Sequence, residues 1–427
     1  LVLASLMIMV GLAFKLSAVP FHFWCPDVFE GATAEVNAFL SVASKAGALA
    51  LLVRVAIGFG GISPEGVSPG DRTLPAPAVA QTAPHDALAG INSANGLFSI
   101  ADDAVTTTRP SLSDQQPKTD GDGSGEDGSA EQETGETKSG GEGAGGEDAG
   151  GEGLAEQGES TDDGRTESVE GESETAVTST SPIDGLRRSQ DFLAKLIAFL
   201  AALSCTFGNL AAYGQTNIKR LLAYSTIAHS GYMMMPVAAM LVLVRYDTLS
   251  AQTAIASISI YLAVYMFMNL GAFAIIAFLR NAMRTETISD YAGLIRRCPI
   301  TVICFCLILF SMIGLPPLAG FVGKFAVFGS LANGYRLSAA AGEPANFLLV
   351  LLVVGGLNTA VSLFYYLRIV KVMTMDPEPE DRRPFVFSDV SLQGFYIWFL
   401  TLPTAFLMLN WDVLNRWAQA AAMQLLK

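Results

Sequence analysis

Charge is scarce in this sequence. Of 427 residues, 15% are Asp, Glu, Lys or Arg, 51% are hydrophobic, and histidine occurs three times. Globular domains carry about 25% charged residues, so an ordinary water-exposed surface is excluded for most of the chain. No basic patch is interleaved with aromatics, which removes support for nucleic-acid binding. No glycine-rich nucleotide loop follows a strand pattern. Cys25, Cys205, Cys298, Cys304 and Cys306 fall in or beside apolar runs. Their spacing matches no metal, iron–sulfur or disulfide framework, so they read as small buried hydrophobes, and redox chemistry is not housed in this chain. Nothing at the start resembles a charged leader with a small-residue cleavage site. The chain opens on Leu1 already inside an apolar run, which gives the expectation that helices once preceding Leu1 are missing.

The formal net charge of −14 averages two different materials. Residues 61–190 hold 26 of the 40 acidic residues and 7 of the 26 basic ones, so the remainder holds 14 acidic and 19 basic. Within that insert, Asp120–Gly158 is dominated by Gly, Glu, Asp and Ser. Such composition cannot bury enough apolar surface to offset chain entropy, and a disordered spacer is expected. No EF-hand pattern accompanies the acidic clusters. The organisation is therefore 1–60 with two membrane helices, 61–190 as the insert, and 191–427 with six more.

A spanning helix needs about 20 mostly apolar residues. The runs that meet this are Leu1–Val28, Val36–Phe59, Phe192–Tyr213, Leu221–Val244, Leu249–Leu279, Ile300–Leu331, Asn346–Val372 and Leu392–Leu409. The expected fold is all-α: a polytopic membrane bundle of about eight transmembrane helices. Lys219-Arg220, then Arg280, Arg284, Arg296 and Arg297, then Arg368, Lys371, Arg382 and Arg383 fill alternate loops. Those loops belong on one side, which the positive-inside rule makes cytoplasmic. The insert and the tail Trp411–Lys427 then lie on the other side, in a bacterial periplasm or its equivalent.

Against this background three lysines stand out: Lys15, Lys45 and Lys324. A lysine near the bilayer centre costs roughly 2.5–3.5 kcal/mol on insertion scales, and such residues mark ion or proton paths. Lys15 precedes Pro20, which must kink or break its helix. Lys324 follows Gly314-Leu315-Pro316-Pro317, a second break. Discontinuous helices at matching places in two halves point to an inverted-repeat, antiporter-like transporter with its site near the midplane. Lys45 sits mid-helix with Asn37, Ser41 and Ser44 nearby, and reads as a buried titrating lysine. His229 lies two to three turns into its helix; it reads either as a proton carrier or as a neutral, hydrogen-bonded core histidine. His22 and Asp27, just past Pro20, read either as site residues or as caps at a helix end. Lys219 and Arg220 fit a membrane boundary.

The runs Phe14-Lys15-Leu16-Ser17-Ala18-Val19-Pro20-Phe21-His22-Phe23-Trp24-Cys25-Pro26-Asp27-Val28-Phe29-Glu30-Gly31-Ala32, Ala43-Ser44-Lys45, Phe207-Gly208-Asn209-Leu210, Gln215 to Gly231, and Gly320-Phe321-Val322-Gly323-Lys324-Phe325 are long and ordered. Together they resemble the subunit N family of proton-pumping NADH–quinone oxidoreductase, respiratory complex I. That family belongs to a superfamily with the Mrp-type cation/proton antiporters. The resemblance covers nearly everything except residues 61–190 and the last dozen or so. It implies that Lys15, Lys45 and Lys324 match proton-path lysines and that His229 matches a central histidine. It implies an inner-membrane location beside other membrane subunits of the complex. No cofactor is expected in this chain; NADH, FMN, iron–sulfur clusters and quinone belong to partner subunits. Two departures matter. A family glutamate lies in a helix upstream of Leu1, and the acidic insert is not a usual feature. The rival readings are an Mrp-type antiporter subunit and a truncated, non-pumping scaffold subunit.

Overall fold

The structure, a computed structural model, describes residues 2–59, 182–380, 382, 384, 385 and 387–425. The expected disorder of the insert falls outside the described residues. Among the described residues the chain is an all-α membrane bundle, with one isolated antiparallel bridge between Asn217 and Thr287. The helices are α1 (Val2–Leu16), α2 (Trp24–Gly31), α3 (Ala34–Phe59), α4 (Pro182–Ala212), α5 (Ile218–Leu243) and α6 (Thr248–Met283). They continue with α7 (Pro299–Ile313), α8 (Ala319–Ala340), α9 (Asn346–Thr374), α10 (Leu392–Phe406) and α11 (Trp411–Leu425).

Five helices, α3, α4, α5, α6 and α9, are long and apolar enough to cross a membrane unbroken. The two runs interrupted by proline are interrupted in space as well, with α1 and α2 flanking one break and α7 and α8 the other. The last run is α10, which turns through 83° into α11. One boundary differs from the sequence reading. Residues 182–190, assigned by composition to the insert, form the first turns of α4. Hydropathy marks where a helix enters lipid, whereas a polar start such as Arg187-Arg188-Ser189-Gln190-Asp191 can be helical before it.

At the centre stands α5. Apart from Arg220 and Tyr224, its residues are buried, because α2, α3, α4, α6 and α8 all pack around it. A helix that is apolar on every side is stable only in such a position. Its start is fixed locally: Asn217 accepts from the backbone N–H groups of Lys219 and Arg220, satisfying two of the amides a helix N-terminus leaves free.

The basic loops share one end of the bundle. Lys219, before α5, pairs with Glu286, after α6, at 2.9 Å, and Arg280 reaches the same carboxylate at 2.6 Å. Arg368 of α9 donates to the backbone oxygens of Tyr213 and Gln215 between α4 and α5. Arg297 and Arg382 both hold Glu378. The Arg297 guanidinium beside it keeps the Glu378 carboxyl below the usual carboxylate range. Asp389, in the α9–α10 loop, caps α7 by accepting from Ile300 N, Thr301 N and Thr301 Oγ1. The opposite end is sparser: Arg245 pairs with Asp191, and Tyr246 donates to Glu343.

Candidate functional site

Both broken helices stop inside the depth of a bilayer. With 15 residues, α7 extends about 22 Å from the basic end, short of a hydrocarbon core of about 30 Å. α1 ends before α2, whose far end reaches the basic loops. Gly314 ends α7 in the left-handed region, at φ 88°, where a side chain would be strained. Ser17 ends α1 at φ 57°. Each break also contains a cis X-Pro bond, Val19–Pro20 and Pro316–Pro317.

A helix end in lipid exposes carbonyl oxygens that water cannot reach. Here buried lysines supply the missing donors. Lys45, 2% exposed on α3, donates from Nζ to Leu16 O, the last carbonyl of α1, at 2.7 Å. Lys324, 4% exposed on α8, donates to Ile313 O, the last carbonyl of α7, at 2.8 Å. The partial negative charge of a helix C-terminus favours the ammonium form. Thus each ammonium faces a half-helix end. Lys324 also stands over the Tyr232 ring, 4.8 Å from its centroid, a cation–π contact.

His229 is within electrostatic range of both lysines. Its ring is 2% exposed and both nitrogens are engaged. Nδ1 lies 2.7 Å from Tyr261 Oη of α6, and Nε2 lies 3.2 Å from Tyr366 Oη of α9. Tyr366 Oη in turn shares a hydrogen bond with Ser225 Oγ. Tyr261 packs against Gly323, beside Lys324, so closely that a Cβ there would collide with its ring. Asn209 accepts from Tyr365 Oη at 2.9 Å and donates to Asn358 O at 3.1 Å, extending the polar interior. The sequence left two readings of His229 open, and its buried, hydrogen-bonded position fits a core histidine and a proton carrier alike.

Lys15 stands apart. It is exposed, on the outer side of α1. There it lines an open groove of about 540 Å³ with Met7, Ile8, Gly11 and Leu12 of α1 and Ala43, Ser44, Gly47, Ala48 and Leu51 of α3. The structure does not bring it into contact with Lys45, His229 or Lys324. Pro20, Gly314, Pro316 and Pro317 all lie in the two breaks. His22 is half-buried against Phe207, their rings 4.4 Å apart, and Asp27 pairs with Arg220 at 3.0 Å.

Lys219 is more than a boundary residue. Its side chain is 3% exposed, it donates to Glu30 O and Ala32 O at the end of α2, and it pairs with Glu286. Asn37 takes the neighbouring Phe29 O at 2.6 Å. The tyrosines around His229 escaped the sequence reading because a tyrosine in an apolar run also reads as core. The signal was there: Tyr261 and Tyr265 share a face at i,i+4, and a buried phenol needs a hydrogen-bond partner. Among the described residues no three His, Cys, Asp or Glu side chains converge as a metal site would require.

The family model described as "NADH:quinone oxidoreductase/Mrp antiporter, TM" matches residues 1–65 and 176–342, more than half of the chain. A protein of Anaeromyxobacter sp. (strain Fw109-5) named NADH-quinone oxidoreductase subunit N is 29% identical over 423 residues, covering 99% of this chain and 56% of that one. The Paramagnetospirillum magneticum protein of the same name is 31% identical over 374 residues, covering 87% of this chain and 46% of its own length. The chain thus spans about half the length of the curated relatives it matches. A chain of the respiratory complex I structure from Thermus thermophilus with bound aureothin has the same fold, with a TM-score of 0.51 at 22% identity over 96% of this chain and 57% of that one.

Proposed function

We propose, for a chain that belongs to the NADH:quinone oxidoreductase/Mrp antiporter transmembrane family, that it moves protons as part of a membrane subunit of NADH–quinone oxidoreductase. The observation that carries this is the repeated arrangement at the two breaks, Lys45 on Leu16 O and Lys324 on Ile313 O, with His229 in range of both. A buried lysine held by a dipole, with no carboxylate paired to it among the described residues, can lose its proton when its surroundings change. His229 and its two phenols link the lysines through groups that both donate and accept.

In this reading electron transfer from NADH to quinone takes place in partner subunits, which carry FMN and the iron–sulfur clusters. Its energy reaches this chain as charge and packing changes at the breaks. Lys15 exchanges protons at the α1–α3 groove, Lys45 and His229 pass them inward, and Lys324 connects to one face. The chain sits in the inner membrane with its basic end in the cytoplasm. α3, 26 residues long, starts beside Lys219 and runs about 39 Å toward the other end, where Arg245 also holds Asp191 of α4. The acidic insert between them therefore belongs on the periplasmic side.

The test is Lys324→Ala and Lys324→Arg in the assembled complex in its native membranes. Proton pumping per electron should fall in both, because arginine keeps its charge and cannot release a proton. Pumping by the arginine variant at the wild-type level would make Lys324 a fixed charge. Normal pumping by the alanine variant would remove it from the path.

A further inference from the structure

We propose that Tyr366 and Ser225 form a proton branch that links the basic end of the bundle to His229. The proposal deepens the reading above and rests on His229 carrying protons. Serine and threonine hydroxyls in membrane helices commonly bond back to their own helix. Thr226 donates to Leu222 O, Ser230 to Ile227 O and Ser204 to Leu200 O in that way. Ser225 instead reaches across to Tyr366 of α9. Tyr366 is fully buried, Ser225 is 2% exposed, and Tyr366 Oη also meets His229 Nε2.

Position gives the branch its direction. α5 starts at the basic end, so by helical rise Ser225 lies about 10 Å in and His229 about 16 Å in. Tyr366 lies about 12 Å from the basic-end terminus of α9. The other nitrogen of His229 faces Tyr261, which packs on the Lys324 helix at Gly323. The histidine thus has one phenol on the Lys324 side and another on the basic side.

The transfer balances without a charged phenol. A proton enters at Ser225 Oγ from the basic end, and Ser225 passes its own to Tyr366 Oη. Tyr366 passes its own proton to His229 Nε2, and Nδ1 gives its proton to Tyr261 Oη. Tyr261 passes its own proton on at the side of the Lys324 helix. Each hydroxyl ends with one proton, and His229 ends as the other neutral tautomer.

The experiment uses the assembled complex in native membranes, with complex content measured beside NADH–quinone turnover, proton pumping and the solvent deuterium isotope effect. Tyr366→Phe removes one oxygen and keeps the ring; Ser225→Ala removes the other hydroxyl, and Ser225→Thr restores it. Tyr365→Phe is the packing control: its ring centroid lies 4.3 Å from that of Tyr366, and its hydroxyl donates to Asn209. Tyr366→Phe and Ser225→Ala should each cut coupled pumping roughly tenfold, short of the ~100-fold that a positioned acid–base group can contribute, and should change the isotope effect. Ser225→Thr and Tyr365→Phe should pump like wild type. If Tyr366→Phe does not assemble, Ser225→Ala decides alone. Wild-type pumping in both, while His229→Gln pumps poorly, overturns the branch and leaves the reading standing. Equal losses in Tyr365→Phe and Tyr366→Phe with an unchanged isotope effect also overturn it, as packing. Normal pumping by His229→Gln removes the reading and the branch together.

Discussion

Lys45 and Leu16 meet through one hydrogen bond of 2.7 Å, from a buried ammonium to the last carbonyl of a helix that stops within the membrane. Twenty-nine positions separate the two residues in the chain. Lys324 and Ile313 repeat the relationship at the second break. Each bond settles two costs at once, an ammonium in a dry interior and a carbonyl with no partner. An unsatisfied buried acceptor costs about 1–3 kcal/mol, and a hydrogen bond to a charged group contributes about 1.5–3 kcal/mol.

Lys45→Met tests the first of these contacts. Methionine keeps the chain length and removes the donor, so Leu16 O loses its partner while the burial cost of the charge disappears. These terms are of similar size and opposite sign. Assembly should therefore stay near wild type while proton pumping per electron falls, read by a pH-sensitive dye in sealed vesicles. Unchanged pumping would make Lys45 a cap for α1 and nothing more.

The pair Lys219–Glu286 is expected to act on stability. Removing one partner of a buried ion pair costs about 3–5 kcal/mol. Lys219→Ala also strips Glu30 O and Ala32 O of their donor, whereas Arg280 still holds Glu286. A loss of about 3 kcal/mol is expected, seen as a lower unfolding temperature of the purified complex. Glu286→Gln should cost less, since Lys219 keeps its two carbonyls. The reverse order would mean that the ion pair, and not the α2 cap, fixes this corner.

The breaks, the helix order and the basic end were legible in the sequence because proline, long apolar runs and clustered Lys and Arg each have a local physical meaning. Lys45, Lys324 and His229 were legible for a different reason: a charge or an imidazole in an apolar run has few tolerable positions. What each lysine bonds to was not legible. Leu16 and Ile313 offer only backbone, and backbone partners leave no mark in a sequence. Nor did hydropathy separate Lys15, exposed beside a groove, from Lys45, enclosed by neighbours, since both sit in equally apolar runs. The burial of Lys219 depends on Glu286, far along the chain, and a positive-inside count cannot anticipate such a pairing.

Acid should loosen the contact between the α6–α7 and α9–α10 loops. Glu378 has a carboxyl pKa held down by Arg297, with Arg382 adding to it. A depressed folded pKa means that the stabilisation is fully present above the unfolded value, near 4.3, and is lost as pH falls through the folded value. Hydrogen exchange of residues 288–298 should therefore speed up below about pH 4. Glu378→Gln should give fast exchange already at neutral pH and flatten this step. A step of the same size in the Gln variant would assign it to another carboxylate, such as Asp389, which caps α7 from the α9–α10 loop.

Sidedness can be read from two exposed glutamates at opposite ends. Glu380 lies in the α9–α10 loop among the basic loops, and Glu343 lies in the α8–α9 loop near Tyr246. Four of the five native cysteines are buried, which keeps background labelling low. With the basic end in the cytoplasm, Glu343→Cys should react with an impermeant maleimide added to intact spheroplasts, and Glu380→Cys only after the membrane is opened. A maleimide site placed in the insert should follow Glu343→Cys, because α3 ends and α4 begins at that end of the bundle. Labelling of Glu380→Cys from outside would invert the whole arrangement and put the acidic insert in the cytoplasm. An insert site that followed Glu380→Cys while Glu343→Cys stayed outside would instead break the link drawn between the insert and the ends of α3 and α4.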